Sequence, residues 1–265
     1  MAIIEINDLC FQYEQDVSGI PFKLSVEKWE VEKGKFYSII GPNGCGKSTL
    51  LKLIAGINKP NIGSIKIDGK FIHEIKRSDY SKLISYVPQS ASSVFPFSVY
   101  EIVMMGRTPY LNFMGFEKET DKEIVNESLE LMELSHIRNK GINEISGGEL
   151  QRVFIARALA QKSGIVLLDE PNSHLDLQHQ VAVFNLLEKL CNEKGFTVIA
   201  ISHDLNMVGI YSHEVIFMKN GKIEIQGNKK EIFTKENIKQ IFNVESEVRY
   251  SGINGRANIF INPQS

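Results

Sequence analysis

Cysteine is scarce in this chain: Cys10, Cys45 and Cys191 are the only three among 265 residues, and they lie far apart. An odd, dispersed set supports neither a zinc site nor a disulfide framework, which points to reducing cytosol. Long apolar runs are also missing, and none approaches the ~20 residues that span a bilayer. The opening Met-Ala-Ile-Ile-Glu-Ile-Asn-Asp lacks the basic, apolar and small-residue succession of a secretory leader. Basic residues are dispersed and the net charge is only −2, so no nucleic-acid partner is expected. There is no internal repeat and no low-complexity tract. Any membrane role must come from docking on another protein. The length is ample for a real core, in one large domain or two small ones.

What is present is a phosphate cradle. Phe36-Tyr-Ser-Ile-Ile40 is an apolar run of β-formers that reads as a buried strand, and residues 47–55 read as a helix ended by Gly56. Between them run Gly41, Pro42, Asn43, Gly44, Cys45 and Gly46, followed by Lys47, Ser48 and Thr49. This is the Gly-x-x-x-x-Gly-Lys-Ser pattern of nucleotide-phosphate binding. The glycines let successive N–H groups turn towards an anion, and the helix dipole adds to them. Lys47 is expected to reach the β- and γ-phosphates of ATP and Ser48 to supply a hydroxyl to Mg²⁺.

The remaining pattern predicts an α/β fold. Ile4 and Ile6, then Phe22, Leu24 and Val26, alternate as antiparallel strands before the loop. Residues 63–69 form another strand with a turn at Asp68-Gly69, and Ile84–Pro88 a short one. Residues 98–135 turn helical. Ile165–Asp169 and Thr197–Ile201 are buried strands separated by a helix from about residue 178. Asn220-Gly221 marks a hairpin. Residues from about 231 predict a small helix and Ile259–Ile261 a last strand. The expected architecture is a P-loop core with a mainly parallel sheet, an N-terminal antiparallel β-subdomain and an inserted α-helical subdomain at about 90–160.

Two further clusters carry chemistry. Asp169-Glu170 ends a buried strand, where open α/β sheets bind ligands. Asp169 suits the metal side and Glu170 a general base, although an Asp-Glu pair after a strand is often a solvated loop. Ser146-Gly147-Gly148 precedes a helix from Glu149 to Gln161, with Ser146 at a cap position. It reads either as an ordinary helix start or as a second anion site. One nucleotide has one γ-phosphate, so two anion sites on separate parts of a chain suggest two chains paired head to tail.

The order of Gly41–Thr49, Gln89, Ile145–Arg152, Ile165–Pro171, Ser173–Asp176 and His203 resembles the ATP-binding cassette proteins that drive membrane transporters. The resemblance covers the chain to about residue 230. It implies one nucleotide-binding domain with a small C-terminal extension at about 231–265. It also implies that Tyr13 stacks on adenine, that Gln89 touches Mg²⁺ and water, and that His203 contacts the γ-phosphate. Ser146, Gly147, Gly148 and Glu149 would clamp the nucleotide of the opposite copy, with Asp176 in the loop crossing the interface. From the residues alone, Tyr13 has a second, less favoured reading as a half-buried strand tyrosine, and a histidine placed like His203 is more often a structural hydrogen-bonder. The implied partners are a second copy, two transmembrane permease subunits and, indirectly, a substrate-binding protein, with this chain peripheral on the cytoplasmic face.

Cys45 departs from the usual small residue in the cradle. Near so many N–H dipoles its thiol is expected to ionise readily, so that alkylation inactivates and ATP protects. Within the family, Gly106-Arg107-Thr108-Pro109 and Asn172-Ser173-His174-Leu175-Asp176 resemble segments of iron–siderophore, haem and cobalamin importers. Both are expected near the docking surface, with a ferric siderophore as cargo and cobalamin or haem next. A soluble cassette acting on ribosomes or DNA is disfavoured, because the chain carries one cassette and no sustained heptads. A P-loop kinase or GTPase has no need of Ser146-Gly147-Gly148.

Overall fold

The computed structural model describes residues 2–13, 22–89, 96–111, 115–173, 175–251 and 256–262. Its strands are β1 (Ala2–Gln12), β2 (Lys23–Glu32), β3 (Phe36–Ile40), β4 (Ile62–Ile67), β5 (Lys70–Phe71), β6 (Ile84–Val87), β7 (Ile165–Asp169), β8 (Thr197–Ile201), β9 (Glu214–Lys219), β10 (Lys222–Asn228), β11 (Ser246–Ser251) and β12 (Arg256–Ile261). Its helices are α1 (Lys47–Ile54), α2 (Arg77–Leu83), α3 (Val99–Met104), α4 (Glu119–Leu131), α5 (Gly147–Ala160), α6 (Leu177–Lys194), α7 (Leu205–Tyr211), α8 (Lys229–Ile232) and α9 (Lys235–Phe242). The contacts divide the chain into two compact units, Met1–Ile75 with Leu187–Ser265, and Lys76–Leu186. Among the described residues no helix is long and apolar enough to cross a membrane.

In the first unit the strand order is β5-β4-β1-β2-β10-β9-β3-β8. β1, β2 and β4 pair antiparallel, as the alternation predicts. The inward face of β1 passes from Ile4 and Ile6 to Leu9 and Phe11, and that of β2 from Trp29 and Val31 to Leu24 and Val26. This change of parity falls at Asp8, whose φ is +48°, where the register against β4 also slips. An irregularity of one residue turns every following side chain to the other face, so Leu9 stays inside. Gly63 lies opposite; a Cβ there would come within 2.3 Å of Asp8 O. The Asp68-Gly69 and Asn220-Gly221 turns both have two residues at positive φ, the type I′ geometry that matches strand twist.

β3 runs parallel to β8 on one side and β9 on the other, and every residue of β3 and β8 is buried. Burial on both faces explains why these strands read as continuous apolar runs. Their carboxyl ends lie side by side, with Ile39 opposite Ile201. The segment after residue 228 closes the core behind β9: Phe217 meets Phe233 and Phe242 edge-on, at 5.7 and 6.4 Å between centroids.

His213 ties the amino end of β3 to the start of β9. Its Nδ1 accepts the Phe36 N–H at 2.9 Å, while the His213 backbone N–H donates to Phe36 O. Burial, followed by the positive charge of Lys229, pushes this imidazole below its ordinary value. Its neutral form is favoured in the folded chain, so its stabilisation is complete above about pH 6.5 and declines as pH falls towards the lowered folded value. Chemical denaturation from pH 7.5 to 5 should show stability falling in the native chain, with a smaller fall in His213→Asn. Equal slopes in both proteins would rule His213 out as the cause.

The second unit holds the parallel pair β6 and β7 with α3, α4 and α5 packed together. The helical stretch expected over 98–135 is broken. α3 is capped by Ser98, a 3₁₀ turn spans Met105–Tyr110 with Pro109 inside it, and α4 begins only at Glu119. Proline removes a backbone donor and crowds the preceding turn, which ends the regular helix. Arg107 within that turn is buried: Nε donates to Asp121 Oδ1 at 2.9 Å, Nη1 to Ala160 O at 2.7 Å, and the guanidinium covers the Tyr110 ring. A Cβ on Gly106 would sit 2.3 Å from Arg157 O. The Gly106-Arg107 pair is therefore packing inside this unit, and its arginine presents no side chain to a docking partner.

Candidate functional site

The first unit contributes the phosphate loop. Gly41 lies so close to β9 that a Cβ would be 2.1 Å from Met218 O and 2.9 Å from Cys45 Sγ. Gly44, at φ +75°, would meet nothing, so its bare backbone keeps the mouth of the loop open. Pro42 is half-buried, Asn43 is exposed, and Gly46 opens α1 at φ +102° with no side-chain cap on the first turn. An uncapped helix start facing a glycine-rich concavity fits an anion. Lys47 is buried, and its Nζ donates to Gly41 O at 2.9 Å and Pro42 O at 3.0 Å, which holds the ammonium over the loop.

Thr49 and Tyr13 are joined through their hydroxyls at 3.3 Å. Tyr13 is 42% exposed and meets Phe11 edge-on at 4.8 Å, so an aromatic surface stands beside α1. His203, exposed, lies one residue beyond Ser202 after β8, at the carboxyl end adjoining that of β3. Asp204 next to it caps α7, accepting from Asn206 N and Met207 N. Cys45 is a correction. It is only 5% exposed, and burial pushes its thiol up while Lys47 offsets that only partly. Burial thus opposes the ready ionisation expected from the N–H dipoles, and a thiol covered in this way is a poorer nucleophile.

The second unit contributes the acidic pair. Asp169 is 2% exposed at the end of β7, and its Oδ2 accepts from Tyr86 Oη at 3.3 Å. Glu170 has φ +53°, a left-handed backbone that costs a non-glycine residue about 1–3 kcal/mol. Its carbonyl accepts from both Ser173 N and Ser173 Oγ, which hold the turn. Gln89 Nε2 donates to Glu170 Oε2 at 2.8 Å, joining two predicted residues 81 positions apart. Tyr86 is the partner that sequence reasoning missed; nothing in a short strand signals a contact to position 169.

Ser146 caps α5, which starts at Gly147, two residues earlier than expected. The cap is a reciprocal box: Ser146 N and Oγ both donate to Glu149 Oε2 at 2.7 Å, and Ser146 Oγ accepts from Glu149 N at 3.2 Å. These bonds hold the Glu149 carboxyl below its usual range, the Ser146 backbone N–H first among them. The helix start thus has its own carboxylate on the serine hydroxyl, while Gly147 and Ser146 stay exposed. Asp176 caps α6: its Oδ1 accepts from His179 N at 2.8 Å and lies 2.7 Å from His179 Nδ1, and the backbone bond leads in lowering its carboxyl. His174 of the same loop lies outside the described residues.

Among the described residues no group of three or more His, Cys, Asp or Glu can hold a metal. Within the second unit, buried Asp169 offers an oxygen of the kind Mg²⁺ accepts, an ion that keeps waters and takes the rest of its shell from substrate phosphates.

The family model for ABC transporter matches residues 24–173. The iron(3+)-hydroxamate import ATP-binding protein of Bacillus subtilis (strain 168) is 37% identical over 82% of this chain and 81% of its own length. The petrobactin import ATP-binding protein of Bacillus anthracis is 36% identical over 93% and 89%. The ferric enterobactin transport ATP-binding protein of Escherichia coli (strain K12) is 38% identical over 80% and 79%. Among solved structures, a post-hydrolysis ATP-binding cassette dimer bound to ADP and Pi superposes with a TM-score of 0.74 at 28% identity, covering 85% of this chain and 98% of that one. Another, described as a metal-chelate type ABC transporter in an inward-facing conformation, gives a TM-score of 0.83 at 29% identity and covers 100% and 98%. This chain accordingly belongs to the ABC transporter family, with ATP as its ligand and ATP hydrolysis as its chemistry.

Proposed function

We propose that two copies of this chain, on the cytoplasmic face of a membrane, couple ATP hydrolysis to import of a ferric siderophore through two permease subunits. A separate substrate-binding protein delivers the cargo, which never touches this chain. The whole chain serves as one nucleotide-binding domain, with a helical subdomain at about 90–160 and a C-terminal extension at about 231–265. Tyr13 stacks on adenine, the N–H groups of Gly41–Thr49 wrap the phosphates, and Lys47 leaves the Gly41 and Pro42 carbonyls for the β- and γ-oxygens. Ser48, Gln89 and Asp169 would hold Mg²⁺, which when bound would supply charge neutralisation at the phosphate oxygens.

Glu170 takes a proton from the attacking water, His203 contacts the γ-phosphate, and Gln89 orients Glu170. The observation that carries this assignment is the 2.8 Å Gln89–Glu170 bond, which sets the carboxylate against the glutamine. Ser146, Gly147, Gly148 and Glu149 of the second copy complete the site, the Ser146 hydroxyl turning from its own Glu149 to the γ-phosphate. Asp176 lies on the loop between copies. ATP favours the closed pair and hydrolysis reopens it, a population shift set by differential affinity.

The cargo assignment is supported by the relatives, three of which carry iron-chelate import or transport in their names. Two measurements test the reading. ATPase activity per chain should fall on dilution as pairs separate, and a rate independent of concentration refutes the pairing. Cells lacking the chain should lose uptake of a ⁵⁵Fe-labelled siderophore and regain it with the native chain but not with Lys47→Ala. Undiminished uptake in the deletion strain removes the cargo assignment while leaving the ATPase intact.

A further inference from the structure

Asn206 joins the segment after His203 to the C-terminal hairpin. It is the second residue of α7, three positions past His203. Its side-chain amide grips the main chain of β12 at both groups of one residue: Oδ1 accepts from Ile259 N at 2.7 Å, and Nδ2 donates to Ile259 O at 3.4 Å. The amide bonds the β12 backbone as a neighbouring strand would, and the acceptor contact is the tighter of the two. The β11–β12 hairpin is thereby held 53 residues away in sequence. One turn later Gly209 meets Ala257 so closely that a Cβ would stand 2.6 Å from Ala257 O. Ala257 and Ile259 enter the same apolar cluster as Val208 and Phe217.

On its other side the histidine is already fixed. β8 is locked to β3, Asp204 N donates to Ser202 Oγ at 3.1 Å, and Asp204 accepts the Asn206 N–H at 2.9 Å. His203 thus sits exposed in a short bridge between β8, which is buried throughout, and α7, which is braced by the hairpin. An exposed side chain holds one direction only if both flanks of its backbone are held.

We propose that Asn206 is a positioning residue that clamps β12 to the first turn of α7 and so aims His203 at the γ-phosphate. Strands β11 and β12 then belong to the apparatus that distinguishes ATP from ADP. The proposal rests on the reading of His203 given above.

The test compares dissociation constants for ADP and a non-hydrolysable ATP analogue, both with Mg²⁺, on the full chain. His203→Ala should lose most of any preference for the analogue. Asn206→Ala should weaken the analogue by about five- to tenfold, the scale of one or two net hydrogen bonds. ADP affinity should stay within about twofold, because ADP lacks the phosphate His203 reads. Asn206→Asp keeps the Ile259 N–H acceptor, and its affinity for the analogue should fall between those of the native chain and Asn206→Ala if the clamp operates. If His203→Ala keeps the preference, the reading of His203 fails and the proposal with it. If His203→Ala loses it while Asn206→Ala does not, or both ligands weaken together in Asn206→Ala, the clamp alone is wrong.

Discussion

Glu170→Gln should still bind ATP but stop hydrolysing it, with kcat lower by about 10²–10⁴-fold, the range a positioned general base contributes. The substitution is nearly isosteric. Glutamine keeps an oxygen to accept the 2.8 Å bond from Gln89 Nε2, and the backbone carbonyl keeps its two bonds from Ser173. The side chain loses its proton affinity and its negative charge. Losing the charge also removes repulsion towards the γ-phosphate, so bound ATP should persist and hold paired copies together. Steady-state ATPase rates with size-exclusion chromatography in ATP would measure both effects. Normal turnover in this variant would remove Glu170 from the mechanism.

Arg107→Ala should destabilise the chain by about 3–5 kcal/mol, the usual consequence of removing one member of a buried ion pair. The side chains of Arg107 and Asp121 are 7% and 3% exposed. Burial alone would raise the Asp121 carboxyl, but the Lys118 N–H and Arg107 outweigh it and hold it below the ordinary range. Its stabilisation is therefore present above the ordinary carboxylate value and is lost as pH falls through the lowered one. Without Arg107 the burial penalty remains unopposed on that side, the Ala160 carbonyl loses its donor, and acid unfolding begins at higher pH. A domain of this size should melt about 6–20 °C lower. Arg107→Lys should rescue little, since an ammonium on a flexible stem cannot reproduce the planar fork reaching both Asp121 and Ala160. A melting point within about 2 °C of native would show that the pair is dispensable.

Legibility in the sequence followed the range of the force involved. β3, β7 and β8 could be read because burial on both faces demands unbroken apolar runs, and those runs end at glycine, at an acidic pair or at Ser202. The Ser146 cap could be read because its bonds close within three residues. The break at Pro109 was written in the chain yet overridden by the apolar spacing around it. Cys45 was misread because the dipoles of a loop are visible in sequence, whereas the desolvation that opposes them depends on what covers the thiol. The partners of Arg107 were out of reach for the same reason: a motif names a side chain but not its surroundings.

Order along the chain was enough to establish the class of chemistry. Glycine spacing, one lysine, one hydroxyl and an acidic pair after a strand are local requirements of holding a phosphate, and local requirements survive in a string of letters. Packing settled the rest. Which carboxylate meets Gln89, why Arg107 turns inward and how β12 reaches the residue three places past His203 depend on groups 81, 14 and 53 positions apart. Such contacts form only when the apolar core has closed around them, because burial is what makes an unpaired polar group costly enough to choose its partner.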